Sequence, residues 1–264
     1  MCTGIAIYGT EEIAPADAFD IGLSFFEVIG VGVNGGSYFE HLEHGDHERD
    51  HDLFEISPKQ LREKVATGDC DSFFLYHSRK GSVPWYAAFN RQTSEYGSFP
   101  HLTALCELPL EEVYLPIKAW LTNLTQQYPR LSYGIVYSVN HMTKAYSYAA
   151  GNNGVAMFLY EDRYAFNKET PGRYDGKGRY TGEMLRMIYP LNVINIRHLK
   201  IEFNGVTLKE WITDNEQRGR LTDIGNDLWL WEVEMEQLEQ INQVCGEAGL
   251  LVAWKAQLTK KLYR

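Results

Sequence analysis

The sequence predicts an α+β fold, with mixed or antiparallel sheets and helices packed on one face. Short apolar runs bounded by Gly, Asn, Asp or Pro recur along the chain and read as strands. Two longer stretches instead repeat their apolar residues at helical spacing: Leu110, Val113, Ile117, Trp120, Leu121 and Leu124, then Leu238, Ile241, Val244, Cys245 and Ala248. Strands outnumber helices, and only the tail sets strand, helix and strand in succession.

Taken in order, residues 3–8 form a short strand. Residues 21–29 are apolar with interspersed Gly and read as a second strand, followed by the turn signal Asn34-Gly35-Gly36. Ser57-Pro58 opens a short helix, with serine as N-cap, proline in the first turn and Gly68 past the end. Residues 72–77 and 83–90 form a hairpin across Arg79-Lys80-Gly81-Ser82. Pro116 lies inside the next helical pattern, so that helix kinks there or starts there. Residues 131–139 and 155–160 are strand candidates. After Asn167 the chain turns polar and Gly-rich, through Gly172, Gly176 and Gly178. Residues 198–203 then read as a strand, Asn204-Gly205 as a turn, and 207–213 as a short helix. The tail closes with a strand at 227–233, a helix at 235–247 capped by Gly249, and a strand at 250–255, a small α/β unit. In 227–233, alternation sends Trp229, Trp231 and Val233 to one face and Leu228 and Leu230 to the other, as in a strand between two layers.

This layout gives an N-terminal lobe at 1–160, a Gly-rich loop or linker at 161–179, and a C-terminal lobe at 180–264, or one continuous domain with a long surface loop. At 264 residues the chain has ample length for a buried core. Its net charge of −10 argues against a nucleic-acid backbone or an anionic membrane as direct partner. No apolar run approaches membrane-spanning length. Cys2, Cys70, Cys106 and Cys245 are scattered without CxxC spacing, as in reduced, buried thiols, and the expected compartment is the cytoplasm.

The segment from His41 to His51 departs furthest from background composition. It holds His41, His44, His47 and His51, four of the chain's eight histidines, interleaved with acids. Imidazoles and carboxylates in such density are conceivable zinc or nickel ligands, and on a helix the four rings would share one broad face. The spacing matches no specific zinc signature, and Gly45 disfavours a rigid helix. No metal or other cofactor is therefore expected. A solvated acidic loop, available to a partner, is the simpler reading. Its carboxylates Glu40, Glu43, Asp46, Glu48, Asp50 and Asp52 are the candidate partner-binding residues.

Met1-Cys2-Thr3-Gly4-Ile5 resembles the start of N-terminal nucleophile hydrolases, in which removal of methionine frees a cysteine to attack an amide, with its α-amine as base. The likeness ends after five residues. Ala16-Asp17-Ala18-Phe19-Asp20 does not supply the arginine and aspartate expected after the first strand, and while Met1 is retained the Cys2 amine sits in a peptide bond. Gly30 to Gly35 superficially fits GxGxxG, but no following helix offers amides to a phosphate. No GxSxG occurs, so no catalytic residue is assigned.

A second resemblance covers roughly residues 180–255. Tyr180 to Asn192, Gly205 to Ile212, Arg218-Gly219-Arg220-Leu221 and Leu228-Trp229-Leu230-Trp231 resemble bacterial immunity proteins that accompany polymorphic or type VI secretion toxins. The resemblance implies a non-enzymatic protein that binds and occludes a cognate toxin. An acidic surface suits a basic toxin such as a nuclease. The alternatives are an amide hydrolase using Cys2 and a metal-binding protein using the histidine cluster.

Overall fold

The computed structural model describes residues 1–47 and 50–255. Its centre is a ten-stranded sheet in which every pairing is antiparallel. The α+β class is as the sequence predicts.

Strand β1 (Cys2–Tyr8) lies near the middle of the sheet, and α1 (Pro15–Val28) follows it. Then come the hairpin β2 (Gly35–His41) and β3 (His51–Ile56), helix α2 (Pro58–Thr67), and β4 (Phe73–His77), β5 (Ala87–Gln92) and β6 (His101–Cys106). Helix α3 (Leu110–Gln127) crosses over to β7 (Tyr133–Val139), which leads into α4 (Met142–Ala149). A long connection carries the short α5 (Ala165–Lys168) and reaches β8 (Leu191–Asn195) and α6 (Ile196–Leu199). A two-stranded ladder, β9 (Glu202–Phe203) and β10 (Val206–Thr207), precedes α7 (Leu208–Thr213); β11 (Arg220–Gly225), β12 (Leu228–Glu232) and α8 (Leu238–Glu247) complete the chain. The order across the sheet is β11-β12-β8-β7-β1-β6-β5-β4-β2-β3. Strands from the first 160 residues and from beyond residue 180 thus meet at β7 and β8.

Alternation along the strands sorts the core into two layers. Ile5, Ile7, Phe89, Ala104 and Leu230 point to the face covered by α1, α2 and α3. Ala6, Tyr8, Leu105, Tyr137 and Trp231 point to the other, where α4, α8 and the long connection pack. The three longest-buried helical pieces of the N-terminal half share one face, and a further helical layer covers the second. A sheet this wide presents apolar side chains on both sides, and both need cover.

Several elements depart from the sequence reading. Residues 21–29 belong to helix α1. Its buried residues Ala18, Ile21, Gly22 and Phe25 recur at three and four, and Gly22 lies so close to the sheet that a Cβ there would come within 2.6 Å of Phe89 Cδ1. Residues 155–160 form turns whose amides serve Glu161, as described below. At 198–203 the helix α6 comes first: Asn195 Oδ1 accepts from the Arg197 and His198 amides, and the His198 ring accepts from the Asn195 amide. Residues 250–255 make only isolated bridges, Leu185 with Leu251 and Glu161 with Trp254. The helix α3 runs through Pro116 without interruption.

Other expectations hold in detail. Ser57 caps α2 with a reciprocal capping box, and Gly68 ends it in a left-handed conformation. Residues 73–77 and 87–90 fall in the antiparallel pair β4 and β5, while 83–86 belong to a connection longer than the expected four-residue turn. Trp229 and Trp231 sit on one face of β12, Leu228 and Leu230 on the other, all buried between layers.

Candidate functional site

The His/acid segment is a β-hairpin rather than a helix. His41 and His51 are the last ladder partners before the connecting loop, and both rings flank Tyr96, at 4.8 Å and 5.1 Å between centroids. His41 Nε2 lies 3.4 Å from Glu95 Oε1. The chain then turns at the tip, where His44 and His47 are exposed. The fold thus brings His41 and His51 together and leaves His44 and His47 on the tip. Among the described residues, no group of three or more His, Cys, Asp or Glu side chains is placed to hold a metal ion.

The candidate carboxylates divide by role. Glu40, Glu43, Asp46 and Asp52 are exposed. Glu40 accepts a hydrogen bond from Tyr38 Oη at 2.8 Å, and Asp52 Oδ1 accepts from the Leu53 amide. Asp50 is half-buried and structural: its carboxylate accepts from the His47 amide at 2.9 Å, closing the tip. Gly45 packs against it, with room for no Cβ, since one would lie 2.4 Å from Asp50 Cβ. Glu48 lies outside the described residues.

Strand β3 is the outer edge of the sheet, and every residue from His51 to Glu55 is exposed. Among the acids it displays Leu53 at 41 % and Phe54 at 38 % exposure, and Leu42 at the tip is 42 % exposed. Edge strands with free backbone groups are templates for pairing with another chain, and charge on them limits which chains can pair. Sequence reasoning identified the acids of this hairpin but missed the edge position, because which strand lies outermost depends on long-range pairing.

A second acidic surface lies towards the opposite edge of the sheet, beside β11 and β12. A cleft of 990 Å³ opens between the N-terminal end of α3 and the residues after β12. Leu110, Ile212, Leu221 and Met235 contribute apolar walls, and Glu111, Glu216, Glu232 and Glu234 contribute carboxylates. Glu232 is saturated: it accepts from Tyr114 Oη at 2.7 Å, from Lys118 Nζ at 2.8 Å and from Arg220 Nη2 at 2.9 Å. Burial raises its pKa, but these donors outweigh burial and hold the carboxyl below its usual range.

Cys2 is buried against the second-face core, and burial raises its thiol pKa despite the nearby N-terminal charge. A nucleophilic cysteine needs the opposite shift. Beneath the same face, Arg186 is fully enclosed. Its Nη1 donates to Tyr8 Oη at 3.0 Å and to the Tyr148 carbonyl at 2.7 Å, and its guanidinium stacks on Tyr148 and Phe166. Glu161 Oε1 lies 3.9 Å from Arg186 Nε, while Glu161 accepts from Tyr148 Oη and the Met157 amide. This buried pair ties the long connection to the sheet.

No helix among the described residues is long and apolar enough to cross a membrane. No family model matches the chain, and no curated protein matches it. Among solved structures, a Pseudomonas aeruginosa type VI secretion system (T6SS) protein is similar, with a TM-score of 0.53 over 95% of this chain and 73% of that one. At 10% sequence identity, what the two chains share is the fold.

Proposed function

We propose that this chain is a non-enzymatic immunity protein that binds and neutralises a cognate bacterial toxin, a basic protein such as a nuclease, through the acidic β2–β3 hairpin. The observation that carries the reading is the outermost strand β3 of the described residues, which presents acids and exposed Leu53 and Phe54 together at the edge of the sheet. Apolar anchors within a charged rim are the anatomy of a protein interface. Glu40, Glu43, Asp46 and Asp52 steer a basic partner, Glu48 belongs to the same stretch, and Asp50 holds the tip in shape. The fold shared with a T6SS protein supports a secretion-linked setting, and an inhibitor of this kind acts in the cytoplasm of the cell it protects.

The test is affinity capture from the source organism with the wild-type chain and with a Glu43→Lys, Asp46→Lys, Asp52→Lys variant. The proposal expects one basic protein in near-equal amount with wild type, its loss with the variant, and relief of that protein's toxicity on co-expression. Capture that survives the charge reversal would move the interface elsewhere, with the acidic cleft as the next surface. A chain that captures nothing and protects nothing refutes the immunity reading.

A further inference from the structure

Four polar side chains form a block on one face of β5 and β6: Asn90 opposite Thr103, and Gln92 opposite His101. All four are at most 4% exposed. Five of their atoms, Asn90 Oδ1 and Nδ2, Gln92 Nε2, His101 Nε2 and Thr103 Oγ1, have no hydrogen-bond partner among the described residues. Buried polar groups are almost always paired, because an unpaired one keeps its full desolvation cost. Five in one contiguous block mark a site rather than a scatter of defects.

The surroundings explain why the protein supplies no partner. Helix α4 packs over β1 and β6, and its buried Ala145 and Ala149 carry no polar group. Phe74 flanks Asn90 from β4, and Phe99 stacks on His101 with 4.4 Å between ring centroids. The nearby cation Arg173 is engaged, donating to the Gly97 and Ala150 carbonyls. Arg91, from the same strand as Asn90 and Gln92, points to the opposite face and donates to the Ile13 carbonyl.

We infer that Asn90, Gln92, His101 and Thr103 form the floor of an internal site for a small uncharged guest with both donors and acceptors, either ordered water or a neutral organic molecule. The hydrogen-bonding code is specific. His101 Nδ1 lies 2.8 Å from the Phe99 carbonyl and must donate to it, which leaves Nε2 as an acceptor. The guest donates to His101 Nε2 and Asn90 Oδ1, accepts from Asn90 Nδ2 and Gln92 Nε2, and meets the Thr103 hydroxyl in either sense. Water, amides and polyols meet this code; a carboxylate, which only accepts, or an ammonium, which only donates, does not.

The test is a crystal structure of the full chain at a resolution that shows ordered water. The expected result is density within hydrogen-bond distance of at least two of the five atoms. Direct pairing of the four side chains with one another, with no density between them, overturns the inference. Thr103→Val and Asn90→Leu provide a second measurement. With a guest in place each lowers Tm by about 2–6 °C, whereas removing a bare polar atom leaves Tm unchanged or raises it, and that result also overturns the inference. Native mass spectrometry separates the two sources: an excess mass that is lost on denaturation and missing from Asn90→Leu assigns an organic guest, and density without excess mass assigns water.

Discussion

His101 and His198 are buried histidines whose cost of charging exceeds their gain. Burial pushes both down to about 4, from an ordinary value of 6.5, and the carbonyls that accept from their rings offset only part of this. Their ring hydrogen bonds suit the neutral form: His198 Nδ1 accepts from the Asn195 amide while Nε2 faces the Tyr180 carbonyl at 2.9 Å. Between pH 6.5 and about 4 the unfolded chain binds these two protons and the folded chain does not. Their contribution to stability is therefore intact above pH 6.5 and falls as pH drops towards 4, by on the order of 3 kcal/mol for each. Denaturant melts from pH 7 to 4.5 should show this slope, and His198→Gln should flatten it. A slope unchanged in the variant would mean that other groups carry it. The Arg186–Glu161 pair makes a second prediction at this scale. Arg186→Met strands a buried carboxylate among Tyr148 and Tyr189 and should cost about 3–5 kcal/mol, measured by urea unfolding. A loss below about 1 kcal/mol would show that Glu161 is neutral in the fold.

At the scale of elements, sequence was most informative where local chemistry acts alone. The Ser57-Pro58 start and Gly68 end of α2, and the Asn204-Gly205 turn with its two positive φ angles, were legible because caps and turns involve neighbours in the chain. Ser57→Ala should therefore lower stability by about 1 kcal/mol, or Tm by about 2–4 °C, in a calorimetric melt. No shift would mean that the reciprocal Gln60 contact already satisfies the helix end. Helix α1 was illegible for the converse reason. Its Gly22 and its run of apolar residues resemble a strand, and the packing of Gly22 against Phe89 and Leu75, which makes glycine useful in a helix there, involves residues more than fifty positions away. The bridges at 250–255 show the same limit: apolar strand-like sequence reached the core without joining the sheet.

For the molecule as a whole, the central fact is a wide antiparallel sheet covered on both faces, whose outermost strand β3 is exposed and acidic. Composition made the acidic character legible, and the residue pattern marked the segment from His41 to His51. What it could not show was that β2 and β3 extend the sheet to its edge, or that Glu111, Glu216, Glu232 and Glu234 converge from distant positions on one cleft. Electrostatic steering acts at this scale. Exposed charges within a Debye length of a partner raise its on-rate at low salt, so association through the hairpin should slow steeply as salt rises, while the dissociation rate changes less. Glu43→Lys with Asp46→Lys should remove most of that salt dependence without changing Tm by more than a degree or two, since both side chains are exposed. Leu53→Ala and Phe54→Ala should instead speed dissociation, as expected for apolar anchors.

The most direct measurement is surface-plasmon binding of the captured basic protein to the wild-type chain and to the Glu43→Lys, Asp46→Lys, Asp52→Lys variant, across a salt series. Stoichiometric binding whose on-rate falls with salt, and which the reversal abolishes while the fold survives, is the predicted result. Binding that ignores both salt and the hairpin charges would contradict the assignment of this edge as the toxin-neutralising surface.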